Sequence, residues 1–361
     1  MKKEVLTINN FKCFSHLEIS FPSLTVLVGA NGMGKSTVVQ SLLLMRSVKE
    51  TDNDFVKLNG PYGLALGTNE SVLCQSSKSN RIEFSMREEK GKDIAKLRLK
   101  CDSKQERLDL EIVKKQSEIF KGKGLFADEF YFLSAERNGP RIAQAMIPLE
   151  YMRTGTYGEH SSQILSDKFL KIDKDRRHPS LGSQYLQMHT NAWLNEILPG
   201  VEVTAVKNTA MQVSQVKIRN AFTSDFVEST NIGFGISYSL PIIIQGLIAK
   251  NDRYFIVENP EAHLHPAAQT VMGKFLAMIA EKGLRVVVET HSDHLLDGIQ
   301  LYLAKHEELR DDVVIYHFGK GQDKQPVIST ITYDKQLDYS SWPKGFMDQT
   351  NINYSSFTEM R

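Results

Sequence analysis

Residues 29–36 read Gly-Ala-Asn-Gly-Met-Gly-Lys-Ser, a full match to the pattern G-x-x-x-x-G-K-[ST]. The run before it, 24–28, is apolar and β-branched, as a buried strand requires. After Gly34 the period changes: Val38, Leu42 and Met45, with Val39 and Leu43 beside them, recur at helical spacing. Strand, glycine turn and helix in that order commit the chain to an α/β fold. The glycines let successive backbone N–H groups face phosphate oxygens, and the helix N-terminus adds partial positive charge. Lys35 can reach the outer phosphates of a nucleotide, and the Ser36 hydroxyl can ligate Mg²⁺.

The rest of the chain agrees with this class. Apolar runs at 5–8 and 17–21 predict two strands ahead of the loop. Period-two alternation at Ile82, Phe84 and Met86, at Leu97 and Leu99, and at Leu108, Leu110 and Ile112 predicts an antiparallel sheet wet on one face. A short strand is expected at 131–133, mixed helix and loop over 140–197, and strands at 201–207 and 213–218. The last third reads as strand 254–257, helix 266–281 stopped by Gly283, strand 285–288, a helix capped by Ser292, and strand 313–318. No internal repeat and no sustained heptad run occurs.

Composition removes several classes. Forty-four Lys plus Arg against 43 Asp plus Glu leave a net charge of +1, so the chain is not a polybasic nucleic-acid binder overall. Three widely spaced cysteines form no CxxC pair, which argues against a disulfide framework or a thiolate zinc site. The first residues lack an apolar core of the secretory type, and the oiliest stretch, 240–249, is too short to cross a bilayer. A cytoplasmic, non-membrane protein is expected.

A second strand ends in acid: Arg253-Tyr-Phe-Ile-Val-Glu258-Asn-Pro-Glu261. An acid at the tip of a strand neighbouring a phosphate loop holds magnesium, and one beside it orients the attacking water. Glu258 suits the first role. The next position is Asn259, whose amide can orient water but cannot serve as a base; Glu261 is the nearest replacement. The same stretch permits another reading. His263, His265, His291 and His294, with Glu258, Glu261 and Glu289, could suggest a metal hydrolase.

Four blocks then stand in order: GANGMGKST at 29–37, NIGFGISYSLP at 231–241, YFIVENPEAHLHP at 254–266 and VVVETHSDHLL at 286–296. Together they resemble an ABC-type ATPase head of the RecF/SMC/overcoming-lysogenization-defect (OLD) branch. The likeness is closest to short bacterial ATPases with ENPEAHLHP and ETHSDH blocks, and the tail SSWPKGFMDQ at 340–349 also looks like that group. The resemblance implies a P-loop NTPase head with a mixed sheet, an antiparallel β-subdomain, a helical insert and no long coiled coil. It implies lobe I over 1–135, an insert over 136–225 and lobe II over 226–361. Gly29, Asn31, Gly32, Gly34, Lys35, Ser36 and Thr37 become the Walker A loop, Glu258 the Walker B acid, and His291 the histidine that senses the γ-phosphate. Gly233, Gly235 and Ser237 fall at the signature loop that completes the site of an opposite subunit, His265 lies where the D-loop begins, and Gln75 is the candidate Q-loop glutamine near the metal. The departures are Asn259 at the catalytic-glutamate position and GFGIS in place of LSGGQ.

The resemblance further implies ATP and Mg²⁺ as cofactors and a homodimer, or higher oligomer, with ATP sandwiched between subunits. Its setting would be a nucleotide-driven switch on DNA that regulates a separate, nuclease-like effector in antiphage defence. A RecF-like repair ATPase and a slow-turnover ATP-binding scaffold are the alternatives. Roughly 45 residues follow Phe318, fewer than an independent domain needs, so no nuclease domain is expected in the same chain. Ser134-Ala-Glu-Arg137-Asn-Gly-Pro-Arg141 resembles an arginine-containing block of related ATPases, read either as a phosphate, nucleic-acid or subunit contact or as an exposed turn. The charged stretch 168–177 reads as a solvated face.

Overall fold

The computed structural model describes residues 2–91, 93–101, 106–115, 124–223, 225–231, 233–321 and 325–359. The chain divides into two compact units, Met1–Phe126 with Glu308–Arg361, and Ala127–Glu307. Strand Val313–Lys320 returns to pair in parallel with Leu24–Gly29 and so joins the N-terminal part.

In the first unit, Leu24–Gly29 is buried along nearly its whole length, as a strand covered on both faces must be. Val313–Lys320 lies beside it with His317 opposite Val28 and Phe318 opposite Gly29. Pro326–Ile331 adds antiparallel on the far side, a strand not expected from sequence. The helix Lys35–Lys49 starts directly after the loop and buries most of its residues. A six-stranded antiparallel sheet completes the unit in the order Phe14–Phe21, Glu4–Phe11, Arg81–Glu88, Asp93–Lys100, Asp109–Lys115, Phe55–Lys57. Ile82, Phe84, Met86, Leu97, Leu99 and Leu110 are buried. Ion pairs such as Arg98–Glu83 (2.5 Å) and Lys100–Glu111 (3.1 Å) lie on the wet face. Leu108 departs from the expected alternation. It precedes its strand and is 63% exposed, its carbonyl accepting from Leu58 N–H.

The tail is also built. Trp342 and Tyr339 meet the buried Phe346 edge-on at 5.1 and 5.2 Å, and Phe346 packs in turn on His317 at 5.9 Å. A helix, Gln349–Glu359, follows.

The second unit holds parallel strands Tyr131–Leu133, Tyr254–Glu258 and Arg285–Glu289, with the middle one pairing both others. Pro266–Glu281 begins with proline in its first turn, and the His265 side chain accepts from Ala267 N–H. Asp293–Leu303 is capped by the Ser292 hydroxyl, which accepts from Leu295 N–H. These two helices touch at glycines: a Cβ on Gly298 would lie 2.0 Å from the Thr270 carbonyl oxygen, and one on Gly273 would lie 2.1 Å from that of Leu295.

The oily stretch proves to be part of a third helix, Phe234–Ile248, with Pro241 inside it. The insert is mixed. It carries helix Leu186–Ile197 and the antiparallel pair Glu202–Asn208 and Val213–Arg219. Among the described residues the longest helix is Pro266–Glu281, and none is long and apolar enough to cross a membrane.

Candidate nucleotide-binding elements

The glycine loop leaves its strand at Gly29, with φ +132°, where a Cβ would lie 2.3 Å from the Phe318 carbonyl oxygen. Only glycine fits that backbone and that approach. The loop feeds the helix Lys35–Lys49, whose N-cap is Gly34, with no side-chain cap and no acidic residue in the first turn. A helix start of that kind suits an anion as its cap. Lys35 is 3% exposed, and its Nζ donates to the loop's own carbonyls, Gly29 at 2.8 Å and Ala30 at 2.9 Å. The ammonium is thus held inside the loop. Asn31, Gly32 and Ser36 face outward, whereas Thr37 is buried with its hydroxyl 3.7 Å from Cys13 Sγ.

A second lysine beside this loop escaped the sequence reading. Lys12 has left-handed backbone (φ +51°) and donates to Gln40 of the helix at 2.7 Å, and burial pulls its ammonium below the usual lysine range. Only its place in the turn between two strands carries a signal. Gln75 lies on an exposed turn, tied to that same strand end through Cys74 N–H donating to Asn10 carbonyl.

The acidic strand of the second unit ends as its sequence implies. Glu258 stands opposite Glu289 on the adjacent parallel strand, so two apolar strands finish in side-by-side carboxylates. Burial first, and then the Glu289 charge, push the Glu258 carboxyl up to about 7. Ala135 N–H donates to Glu258 Oε2 at 3.1 Å. The sequence signal for Glu289 was the repeated spelling of apolar strand plus Glu.

Without a cation beside it, such a carboxyl is costly to ionise. Its native pKa exceeds the unfolded value near 4.5, so the folded state binds the proton more tightly. The penalty is therefore absent below 4.5, grows as pH rises to about 7, and is full above it. Glu258→Gln is expected to stabilise the metal-free protein at pH 8 by roughly 3 kcal/mol, the gain shrinking as pH falls toward 4.5. Thermal melts in chelator across that range read it directly.

Asn259 has φ +43°, a left-handed backbone that asparagine tolerates better than glutamate does. Its N–H donates to the Glu289 carbonyl at 2.8 Å, and its Oδ1 is buried without a partner among the described residues. Glu261 reaches the following loop, accepting from the Thr290 hydroxyl at 2.8 Å and from His291 N–H at 2.9 Å. It braces the segment that presents the exposed His291.

The other histidines have separate tasks. His263 packs on Tyr238 and Phe234, His265 caps a helix, and His294 pairs with Asp293 and Asp297. Among the described residues His263, His265, His291 and His294 belong to no converging group of three metal-ligand side chains.

The signature block opens the helix Phe234–Ile248 at Gly233, again with no side-chain cap and no acid in the first turn. Ile232 of the block lies outside the described residues. Gly235 sits close to the loop after the acidic strand, since a Cβ there would lie 3.0 Å from the His263 carbonyl oxygen. Ser237 is half-buried one turn on, and Phe234 is 51% exposed. Arg137 is 3% exposed, with a guanidinium that burial lowers to about 10, still charged at neutral pH.

A strand–glycine loop–helix unit holding a buried lysine, with apolar strands ending in carboxylates, defines a P-loop nucleoside triphosphatase. The chain belongs to the AAA ATPase domain family, whose family model matches residues 1–174 and 180–296. None of the curated proteins matches the chain in sequence. Among solved structures it is similar to an SMC head bound to the C-winged helix domain of ScpA. There the TM-score is 0.53 at 11% identity, over 93% of this chain and 99% of that one. It is also similar to an SMC head with an extended coiled coil, bound to the C-terminal domain of ScpA, from Pyrococcus furiosus. That comparison gives a TM-score of 0.54 at 12% identity, over 100% of this chain and 99% of that one. At such identities the likeness is one of fold: a mixed α/β head like those of the SMC proteins.

Proposed function

We propose that the chain binds and hydrolyses ATP with Mg²⁺, and that two copies close around the nucleotide as a switch. Gly29, Asn31, Gly32, Gly34, Lys35 and Thr37 would hold the triphosphate. Ser36 and Glu258, with Gln75, would hold the metal, which supplies charge neutralisation on the phosphates when bound. Lys12 would add a second cation at the helix behind the loop, where it donates to Gln40. His291 would face the γ-phosphate, its segment braced by Glu261. Gly233, Gly235 and Ser237 would form the lid over a second copy's nucleotide. The single observation that carries the reading is the uncapped helix start behind Gly34, with Lys35 already folded into the loop.

The wider role is a cytosolic sensor acting on DNA and governing a separate, nuclease-like effector in bacterial antiphage defence. Its support is the spelling and order of the four sequence blocks. Light scattering of the full chain with and without ATP and magnesium tests the switch. A mass that doubles with ATP, and fails to do so in Lys35→Ala, is expected; a mass indifferent to nucleotide sinks the reading.

A second reading, tight ATP binding with little turnover, is favoured by the left-handed backbone at Asn259. It expects Asn259→Glu to raise phosphate release about tenfold, while the strained glutamate costs about 1 kcal/mol of stability. Unchanged release in that variant would dismiss it.

A further inference from the structure

Residues 134–137 grip the end of the acidic strand from two sides. Ala135 N–H holds the Glu258 side chain at 3.1 Å. Arg137 holds the backbone: its Nη1 donates to the Ser134 and Glu258 carbonyls at 2.8 and 2.6 Å, and its Nη2 to the Asn259 carbonyl at 2.6 Å. A planar fork can cap two successive carbonyls at once, which a lysine ammonium cannot do with the same geometry. The guanidinium also lies over the ring of Tyr238, 5.2 Å from its centroid. Tyr238 stands in the first half of the helix that begins at Phe234, and its ring meets His263 edge-on at 4.5 Å. The loop running from Asn259 to His263 is therefore seated against Tyr238 at one end and fastened by Arg137 at the other. Both Asn259 and His263 have positive φ, so the loop holds its shape through these neighbours.

We propose that Arg137 is a positioning residue that couples the helix carrying Gly233, Gly235 and Ser237 to the carboxylate of Glu258. This rests on the ATPase reading above and deepens it: movement at the start of that helix shifts Tyr238, and Arg137 passes the shift to the strand end. The connection is local to one unit and needs no contact between Arg137 and the nucleotide.

A merely structural arginine is available for comparison in the same unit. Arg176 is 1% exposed and fastens the far end of the same helix through the Gly246 carbonyl (2.7 Å) and Asn251 Oδ1 (2.6 Å). The test measures kcat, KM for ATP, the magnesium concentration at half-maximal turnover, and Tm. It uses the full chain and Arg137→Ala, Arg137→Lys, Tyr238→Leu, the Arg137→Ala/Tyr238→Leu pair and Arg176→Ala.

For Arg137→Ala the expected result is a kcat lower by about tenfold and a magnesium requirement higher by about fivefold, with KM within about twofold. Arg176→Ala, losing a comparable Tm, should keep kcat within about twofold. The double variant should be no worse than Arg137→Ala alone, since both break one link. Where Arg137→Ala does not fold, Arg137→Lys and Tyr238→Leu carry the same comparison. Parallel loss of Tm and kcat in the Arg137 and Arg176 variants, or effects of Arg137 and Tyr238 that simply multiply, would overturn the coupling alone. A wild-type chain that hydrolyses no ATP would overturn the ATPase reading, and the coupling with it.

Discussion

Lys35→Ala is expected to lower ATP affinity by about a hundredfold or more and to bring phosphate release to background. The side chain is 3% exposed and its ammonium sits between two carbonyls of its own loop. Its charge therefore acts in a largely desolvated place, where electrostatic interactions are strongest. Without it, outer phosphate oxygens entering the loop would meet the carbonyls of Gly29 and Ala30, which repel them. The fold should survive, because the helix behind the loop is buried mainly through Val38, Val39, Leu42, Leu43 and Met45. Fluorescent-nucleotide titration, with circular dichroism as the check on folding, decides the matter. Binding within about threefold of wild type would contradict the assignment of the loop.

Gly298→Ala carries the largest expected effect on stability. The added methyl would need space 2.0 Å from the Thr270 carbonyl oxygen and within reach of the Gly273 Cα, which is 3.1 Å away. Those atoms are helix backbone and cannot step aside as a side chain would. The helices Pro266–Glu281 and Asp293–Leu303 must part, breaking the close approach of Gly298 to Thr270 and of Gly273 to Leu295. A loss of about 3 kcal/mol or more follows from overpacking of this kind. Urea unfolding would measure it, and a midpoint unchanged from wild type would mean that the two helices have room.

The parts of the fold legible in sequence were those written locally. The loop at 29–36 needs only its own spacing, and Pro266, Gly283 and Ser292 marked helix ends that stand where they were placed. The alternation of Ile82, Phe84 and Met86 sufficed for a strand with one dry face. What was hidden is long-range. The helix over 234–248 had no reading in the sequence; it continues through Pro241, packed so closely that a Cβ on Gly158 would lie 2.4 Å from the proline ring. Arg137 could not be told from an exposed arginine, because its partners are carbonyls some 120 residues away in sequence, and carbonyls carry no residue signature. Asn259 looked like a lost glutamate until the left-handed backbone gave it a reason.

The pairing of Leu24–Gly29 with Val313–Lys320 bears on how the chain matures as it leaves the ribosome. The glycine turn emerges roughly 280 residues ahead of the strand that backs it, and domains fold in the order in which their parts are synthesised. Until Phe318 arrives to abut Gly29, the turn has no floor. Chains cut short of Val313–Lys320 are thus expected to grasp nucleotide poorly, since the turn gains its backing only with that strand.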